Sequence, residues 1–136
     1  MRKDDCIFCK IANGEIPSRT VYEDYAVRVI LDLSPATRGH ALILPKDHFD
    51  DLYEISDEYL THIAAVSKKV ALVMKEKLGT DGLNIIQNNG ETAGQTVMHD
   101  HMHCIPRYQG DGQNMLWEPH TLTDEEMDEI LKKLTD

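Results

Sequence analysis

Within five consecutive residues, His99-Asp100-His101-Met102-His103, the chain places three imidazoles at alternate positions. Side chains of a strand alternate between its two faces. This spacing therefore predicts all three rings on one side, with Asp100, Met102 and Cys104 on the other. Histidines are a poor way to fill a core, because valine or isoleucine packs better and each buried imidazole needs hydrogen-bond partners. Two kinds of chemistry suit the row. Imidazole is a common zinc ligand. A neutral imidazole nitrogen is also a good nucleophile near pH 7 and forms a labile N–P bond, while neighbouring rings orient it and shuttle a leaving-group proton. A surface strand that merely carries histidines is the plain alternative.

The residues ahead of the row favour attack on phosphorus. Asn88-Asn89-Gly90-Glu91-Thr92-Ala93-Gly94 is a small polar loop, followed by Gln95 and Thr96 with an amide and a hydroxyl. Backbone N–H groups beside glycines can bind phosphate oxygens, although Asn-Gly is also ordinary turn chemistry. A second motif is Cys6-x-x-Cys9, one half of a zinc site that needs two further ligands.

The elements that must position these groups can be read from periodicity and punctuation. Cys6 to Ala12 has helical potential and stops at Asn13-Gly14. Val21–Glu23 and Ala26–Leu31 read as strands around an Asp24-Tyr25 turn, and Ala41–Leu44 as a short buried strand closed by Pro45. Asp32 to Gly39 reads as a loop. Ser56 looks like an N-cap, Leu60, Ile63, Ala64, Val70, Met74 and Leu78 form a helical stripe, and Gly79 is a C-cap residue. Leu83–Gln87 reads as a strand, Thr96–Arg107 as a long one, and Gly110–Pro119 as irregular. Thr123-Asp124-Glu125-Glu126 opens a final helix to about Leu134. Strands at both ends of a long helix imply an α+β fold with a mainly antiparallel sheet.

Composition sets the outer limits. The 136 residues, 41% of them hydrophobic, suit one domain, with a core over about residues 6–108 and a tail over 109–136. A formal charge of −10 argues against broad binding to nucleic acid or an anionic membrane, yet leaves room for a local phosphate site. No apolar run is long enough to span a bilayer and the N-terminus does not read as a signal peptide, so the expected location is cytoplasmic. Three cysteines, an odd count, argue against a disulfide framework. Cys104 is expected to be buried in a strand. His62 is expected to be solvated, and Trp117 to be a lone packing anchor or a cover for a pocket or a dimer partner.

Gly94-Gln95-Thr96-Val97-Met98-His99-Asp100-His101-Met102-His103 resembles the signature of the histidine-triad family, in which three histidines alternate with apolar residues. Cys6-Ile7-Phe8-Cys9-Lys10-Ile11 with Glu15-Ile16-Pro17 resembles its N-terminal segment. Leu31-Asp32-Leu33-Ser34-Pro35 and Gly39-His40-Ala41-Leu42-Ile43-Leu44-Pro45-Lys46 resemble its central strands. The resemblance covers about residues 6–108. It implies a histidine-triad-type fold with a five-stranded sheet, one long helix and short terminal helices. It implies a nucleotide hydrolase or transferase that cleaves nucleoside phosphoramidates or dinucleoside polyphosphates through a nucleotidyl-histidine. His101 matches the nucleophile, His103 the histidine that protonates the leaving group, and His99 and His40 the supporting histidines. Asp32 matches the acid that binds the ribose hydroxyls. Ile7, Phe8, Ile11, Ile16, Ile30 and Leu33 match the apolar lining around base and ribose, although Ile11 and Ile30 suit a core role equally well. Asn88, Gly94, Gln95, Thr96 and Val97 correspond to the phosphate side. The substrate implied is a purine nucleotide with an AMP or GMP moiety, and the assembly implied is a homodimer whose sheets join. Some bacterial members also suggest a structural zinc on Cys6, Cys9, His48 and His99.

Two residues depart from the pattern. Asp100 stands where the family has an apolar residue, and Thr96 replaces a serine while keeping the hydroxyl. Ile105-Pro106-Arg107-Tyr108 resembles bacterial members and the dinucleoside-polyphosphate-cleaving branch more than the phosphoramidase branch, which leaves the leaving group open. Two other functions compete. One is a zinc-dependent hydrolase with the triad as ligands, disfavoured because the run lacks an obvious carboxylate base beside it. The other is a nucleotide-binding regulatory module with little catalysis.

Overall fold

The computed structural model describes residues 1–136. Nine elements follow one another: α1 (Ile7–Ala12), β1 (Thr20–Glu23), β2 (Val27–Leu31), β3 (Ala41–Pro45), α2 (Asp57–Leu78), β4 (Gly82–Ile86), a 3-10 turn (Glu91–Ala93), β5 (Met102–Arg107) and α3 (Asp124–Thr135). The strands form one antiparallel sheet in the order β1-β2-β3-β5-β4. The α+β architecture and the five-stranded sheet are as the sequence predicts.

Two cores explain why the sheet sits where it does. On one face, α2 lays Ile63, Val66, Val70 and Met74 against Val27, Val29, Ala41, Ile43 and Cys104. Each fully buried aliphatic side chain contributes roughly 1.5–3 kcal/mol. The α2 helix is long because it is well capped. The Ser56 side chain accepts from the Tyr59 N–H, acids occupy the first turn, and Gly79 closes the other end with left-handed φ and ψ. On the opposite face, Ala12 with Phe8 and Ile11 packs on Ile30, Leu42 and Leu44. Ile11 and Ile30 thus sit in core packing. Across the strands, Ile30, Leu42, His103 and Ile86 face one another in register, which puts His103 on the α1 face. Met102 and Cys104 pack on the α2 side, as alternation requires.

Gly39, just before β3, has no room for a side chain. Its φ is +96°, and a Cβ there would lie 2.6 Å from Leu78 Cδ1. The loop into β3 is therefore clamped against the end of α2.

The long final strand requires correction. Pairing begins only at Met102; Thr96 to His101 is irregular. Opposite this stretch β3 ends in Pro45, whose carbonyl accepts from the His99 ring instead of a backbone amide. The Asp100 N–H turns aside to the Phe49 carbonyl at 2.7 Å. The His99 side chain and the Asp100 backbone N–H thus find partners that a continued ladder would not give them. His62 is another correction: its Nε2 donates to Asp24 Oδ2 at 2.7 Å, so the ring is partly buried and hydrogen-bonded rather than solvated.

The α3 helix forms as the capping box on Thr123 predicts, yet every residue from Gln113 onward except Met115 is exposed. No helix is long and apolar enough to cross a membrane.

Candidate functional site

The imidazoles divide into two groups. His40, His101 and His103 gather at the end of β3 and β5 on the α1 face. The His101 and His103 rings lie 5.0 Å apart, and those of His40 and His103 lie 5.1 Å apart. Phe8 of α1 meets the His101 ring edge-on at 5.1 Å.

Hydrogen bonds settle the tautomers of this group. The Ala36 N–H donates to His40 Nδ1 at 2.9 Å, so the neutral ring carries its proton on Nε2. That Nε2 lies 2.9 Å from His103 Nδ1 and donates to it, which leaves the proton of His103 on its own Nε2. His101 Nδ1 lies 2.7 Å from the His99 carbonyl and donates to it, so the lone pair of His101 sits on Nε2. No buried side-chain nitrogen or oxygen lacks a partner, and neither of these Nε2 atoms has one in the protein. Both therefore remain open to a ligand, one as a lone pair and one as an N–H donor.

Electrostatics support the neutral forms. Burial pushes His103 down to about 4, with the neighbouring rings adding to the effect, and lowers His40 and His101 as well. Asp32 stands beside this group, its Oδ2 at 3.6 Å from His40 Nε2, while its Oδ1 accepts from the Ser34 N–H. The arrangement can deliver a nucleophilic nitrogen and a proton donor to one ligand from adjacent rings.

His99 belongs to the other group. Its ring is fully buried, and its Nε2 donates to the Pro45 carbonyl at 2.9 Å. Its Nδ1 lies 3.3 Å from Cys6 Sγ and 3.4 Å from Cys9 Sγ. His48 mirrors it: Nε2 donates to Asp50 Oδ1 at 2.7 Å, and Nδ1 lies 3.4 Å from Cys9 Sγ. The four ligand atoms lie within 4.8 Å of one another. Tetrahedral zinc with ordinary Zn–S and Zn–N bonds sets sulfur and nitrogen about 3.6 Å apart, close to the spacing found. Both rings turn a lone pair inward and fix the outer nitrogen with a hydrogen bond, as metal-binding histidines do. The Lys3 and Cys9 amides donate to the two sulfurs, which suits thiolates. The donor set fits a closed four-ligand metal site.

The predicted triad is therefore not one cluster around one point. His101 joins neither group of candidate metal ligands; the second such group is Asp32, His40 and His103. This tells against a hydrolase whose three triad rings hold one catalytic zinc.

The remaining predicted residues fall into three sets. Phe8 and Ile16 are half-buried around α1, whereas Ile7 and Leu33 are 53% and 86% exposed. Asn88 and Val97 are half-buried, and Gly94 and Thr96 exposed, at the loop ahead of the histidines. Gln95 is different. Its carbonyl accepts from the Gly90 N–H, and its amide donates to the Asp50 and Val97 carbonyls. Fully engaged and buried, Gln95 braces the loop rather than reaching toward a phosphate. Sequence reading missed Asp50, the partner of His48, and the amide and carbonyls that set the tautomers. Nothing in the local sequence distinguishes Asp50 from the loop acids around it.

Two grooves lie elsewhere. A cavity of about 670 Å³ between Tyr25, Asp57, Tyr59 and His62 shares no residue with either histidine group. A smaller one, about 410 Å³, borders the cysteine cluster through Cys6, Ile7, His48 and Thr96.

Known proteins are similar over nearly the whole chain. The family model described as "HIT domain" matches residues 13–110. An uncharacterized HIT-like protein of Methanocaldococcus jannaschii is 46% identical over 95% of this chain and 98% of its own. An adenosine 5'-monophosphoramidase of Saccharomyces cerevisiae is 45% identical over 75% of this chain and 62% of its own. An adenylylsulfatase of Arabidopsis thaliana is 40% identical over 88% and 59%. Among solved structures, a HIT family protein of Bacillus anthracis superposes with TM-score 0.89 at 42% identity, covering 96% of this chain and 95% of that one. A Zn-bound histidine triad family protein of Mycobacterium smegmatis does so with TM-score 0.78 at 39% identity, covering 95% and 91%. With most of its length matched by the family model and its fold superposing on a solved member over nearly the whole chain, this chain belongs to the HIT domain family.

Proposed function

We propose that this protein is a nucleotide hydrolase that transfers a nucleoside monophosphate onto His101 and then to water. Its substrates are nucleoside phosphoramidates or dinucleoside polyphosphates. The observation that carries this reading is the tautomer set: a free lone pair on His101 Nε2 beside a free N–H on His103 Nε2. The names of two relatives, an adenosine monophosphoramidase and an adenylylsulfatase, support the same chemistry.

In the first step, the His101 Nε2 lone pair attacks the α-phosphorus and an N–P bond forms. The bond from phosphorus to the amine or phosphate breaks with its electron pair, and the departing group takes the proton from His103 Nε2. The Nε2–H of His40 lies on the other nitrogen of His103 and supports its change of charge. The His99 carbonyl holds the His101 Nδ1 proton, stabilising the imidazolium character that develops on that ring. In the second step water gives its proton to His103, attacks phosphorus, and the N–P electron pair returns to His101. Loop amides around Asn88, Gly94, Thr96 and Val97 hold the phosphoryl oxygens. Asp32 accepts from the ribose hydroxyls, and Ile7, Phe8, Ile16 and Leu33 flank the purine.

Cys6, Cys9, His48 and His99 would hold zinc. Bound there, zinc supplies a cross-link between α1 and the histidine run, not an activated water, because a closed site offers no open position. The Zn-bound relative supports this assignment. A homodimer formed along the open β4 edge agrees with the exposed Ile85 on that strand and Leu72 and Val73 on α2. We further place the protein in the cytoplasm as a single domain, in keeping with three free cysteines, two of which belong to the candidate metal site.

The test is rapid-quench turnover of adenosine phosphoramidate, lysine-linked AMP and Ap4A, with mass spectrometry of the protein. A trapped nucleotidyl group on His101 is expected. Full turnover by His101→Ala would sink the proposal.

A further inference from the structure

Asp100 is the one carboxyl within the histidine run, and it is 3% exposed. It lies on the side of the run away from His101 and His103, and the mechanism above makes no use of it. A buried carboxyl that served only packing would be replaceable by an apolar residue at no loss, since burial of charge is costly. Its contacts show what it holds. Asp100 Oδ1 accepts from Gln87 Nε2, and the same Nε2 donates to Asn89 Oδ1 at 2.8 Å. Asn89 Oδ1 also accepts from the Leu52 N–H at 2.7 Å, and the Asp100 N–H donates to the Phe49 carbonyl. The residues on both sides of Asn88 are thereby tied down. Asn88 itself stays out of this net, with its side chain against Gly94, 3.4 Å from where a Cβ on that glycine would sit.

We infer that Asp100 is a positioning residue that, through Gln87 and Asn89, fixes Asn88 and the loop to Gly94 relative to His101, joining the phosphate-side loop and the nucleophile into one rigid unit. This inference rests on the reading of Asn88 as a phosphate contact. The physical logic is register. Asp100 immediately precedes His101, so a tether from its side chain to the strand end at Gln87 sets the distance between the attacking nitrogen and the loop that orients phosphorus. Misplacement of such groups by about 1 Å costs about a hundredfold in rate. A carboxylate oxygen also gives the Gln87 amide a stronger acceptor than a neutral group would.

Four variants test it: Asp100→Leu, Asp100→Asn, Gln87→Met and the double variant Asp100→Leu/Gln87→Met. Two readouts are taken, steady-state kinetics on adenosine phosphoramidate and amide hydrogen exchange of residues 88–95 in the full chain. Each single apolar variant should lower kcat/KM by about tenfold or more, and the double should be no worse than the worse single, because both break one link. Asp100→Asn, which keeps an oxygen acceptor for Gln87, should restore most of the loss. Exchange at 88–95 should quicken in the apolar variants while α2 stays as protected as in the parent, a result that general destabilisation would not give. Additive kinetic losses, or unchanged loop exchange in both apolar variants, would overturn the inference. Should Asp100→Leu fail to fold, Gln87→Met carries both readouts, and parent-like values there would also overturn it. Absence of turnover by the parent would count against the functional reading alone, since the exchange comparison does not require catalysis.

Discussion

His99 and His101 are two residues apart, and their environments are opposite. Every polar atom of the His99 ring is engaged: Nδ1 faces two sulfurs, Nε2 donates to Pro45, and no part of the ring reaches solvent. His101 engages one nitrogen with the carbonyl of His99 and leaves the other open. A single backbone carbonyl thus connects a closed cluster to an open one. What the difference teaches is that a repeated residue type need not mean a repeated role. In this chain one ring is held on both sides, and the other, held on one side, keeps a nitrogen free for a ligand.

The comparison breaks most sharply at His101. Replacement by alanine removes the open ring lone pair of the His40–His101–His103 group, so turnover measured with saturating substrate should fall by at least about a thousandfold, while melting changes little. The same replacement at His99 should act through structure, lowering the melting midpoint and releasing zinc in a metal-content assay. If His99→Ala kept its metal and its melting midpoint, the division of labour would be wrong.

Next in size is His40, whose Nε2–H defines the tautomer of His103. His40→Ala should reduce kcat by about a hundredfold, the range of general acid–base assistance, with less change in KM. Metal removal comes after it. Dialysis of the zinc-loaded protein against a strong chelator should loosen α1, and Phe8 with it, and lower the melting midpoint by several degrees. Readdition of zinc should restore both. Activity that disappeared on chelation while α1 amides stayed protected would instead point to a catalytic ion.

The smallest effect is one of pH. Burial lowers His40, His101 and His103 from the ordinary histidine value of 6.5, His103 to about 4. Between about 4 and 6.5 the unfolded chain therefore binds more protons, and stability falls as pH drops through that window. Asp100 works in the other direction. Burial pushes it up to about 6, so the folded chain takes that proton first and offsets part of the loss. Melting midpoints from pH 7.5 to 4.5 should decline, and more steeply in Asp100→Asn. A flat profile in both proteins would contradict the buried, neutral rings.

Much of this was legible in the sequence for reasons that are local. Ser56, Gly79 and Thr123 carry capping chemistry that acts over three or four residues, and the structure places all three at helix ends. The Cys6-x-x-Cys9 spacing brings both sulfurs to one end of α1. Alternation correctly put Met102 and Cys104 on the α2 face. It failed at His99, because strand pairing depends on a neighbour, and β3 runs out at a proline whose carbonyl takes a side-chain donor. The Asp24–His62 pair and the Asp50 and Gln87 contacts join residues 38, 2 and 13 positions from their partners, and no sequence periodicity marks them.

The only tryptophan, Trp117, lies in the tail at 82% exposure, far along the chain from the cores that hold the sheet to its helices. Intrinsic emission is therefore a reporter of what the tail touches and not of whether the interior is intact. An optical melt excited at the indole band and one followed by circular dichroism, which senses α2, need not share a midpoint. Their separation would measure how independently the last segment gains and loses its surroundings.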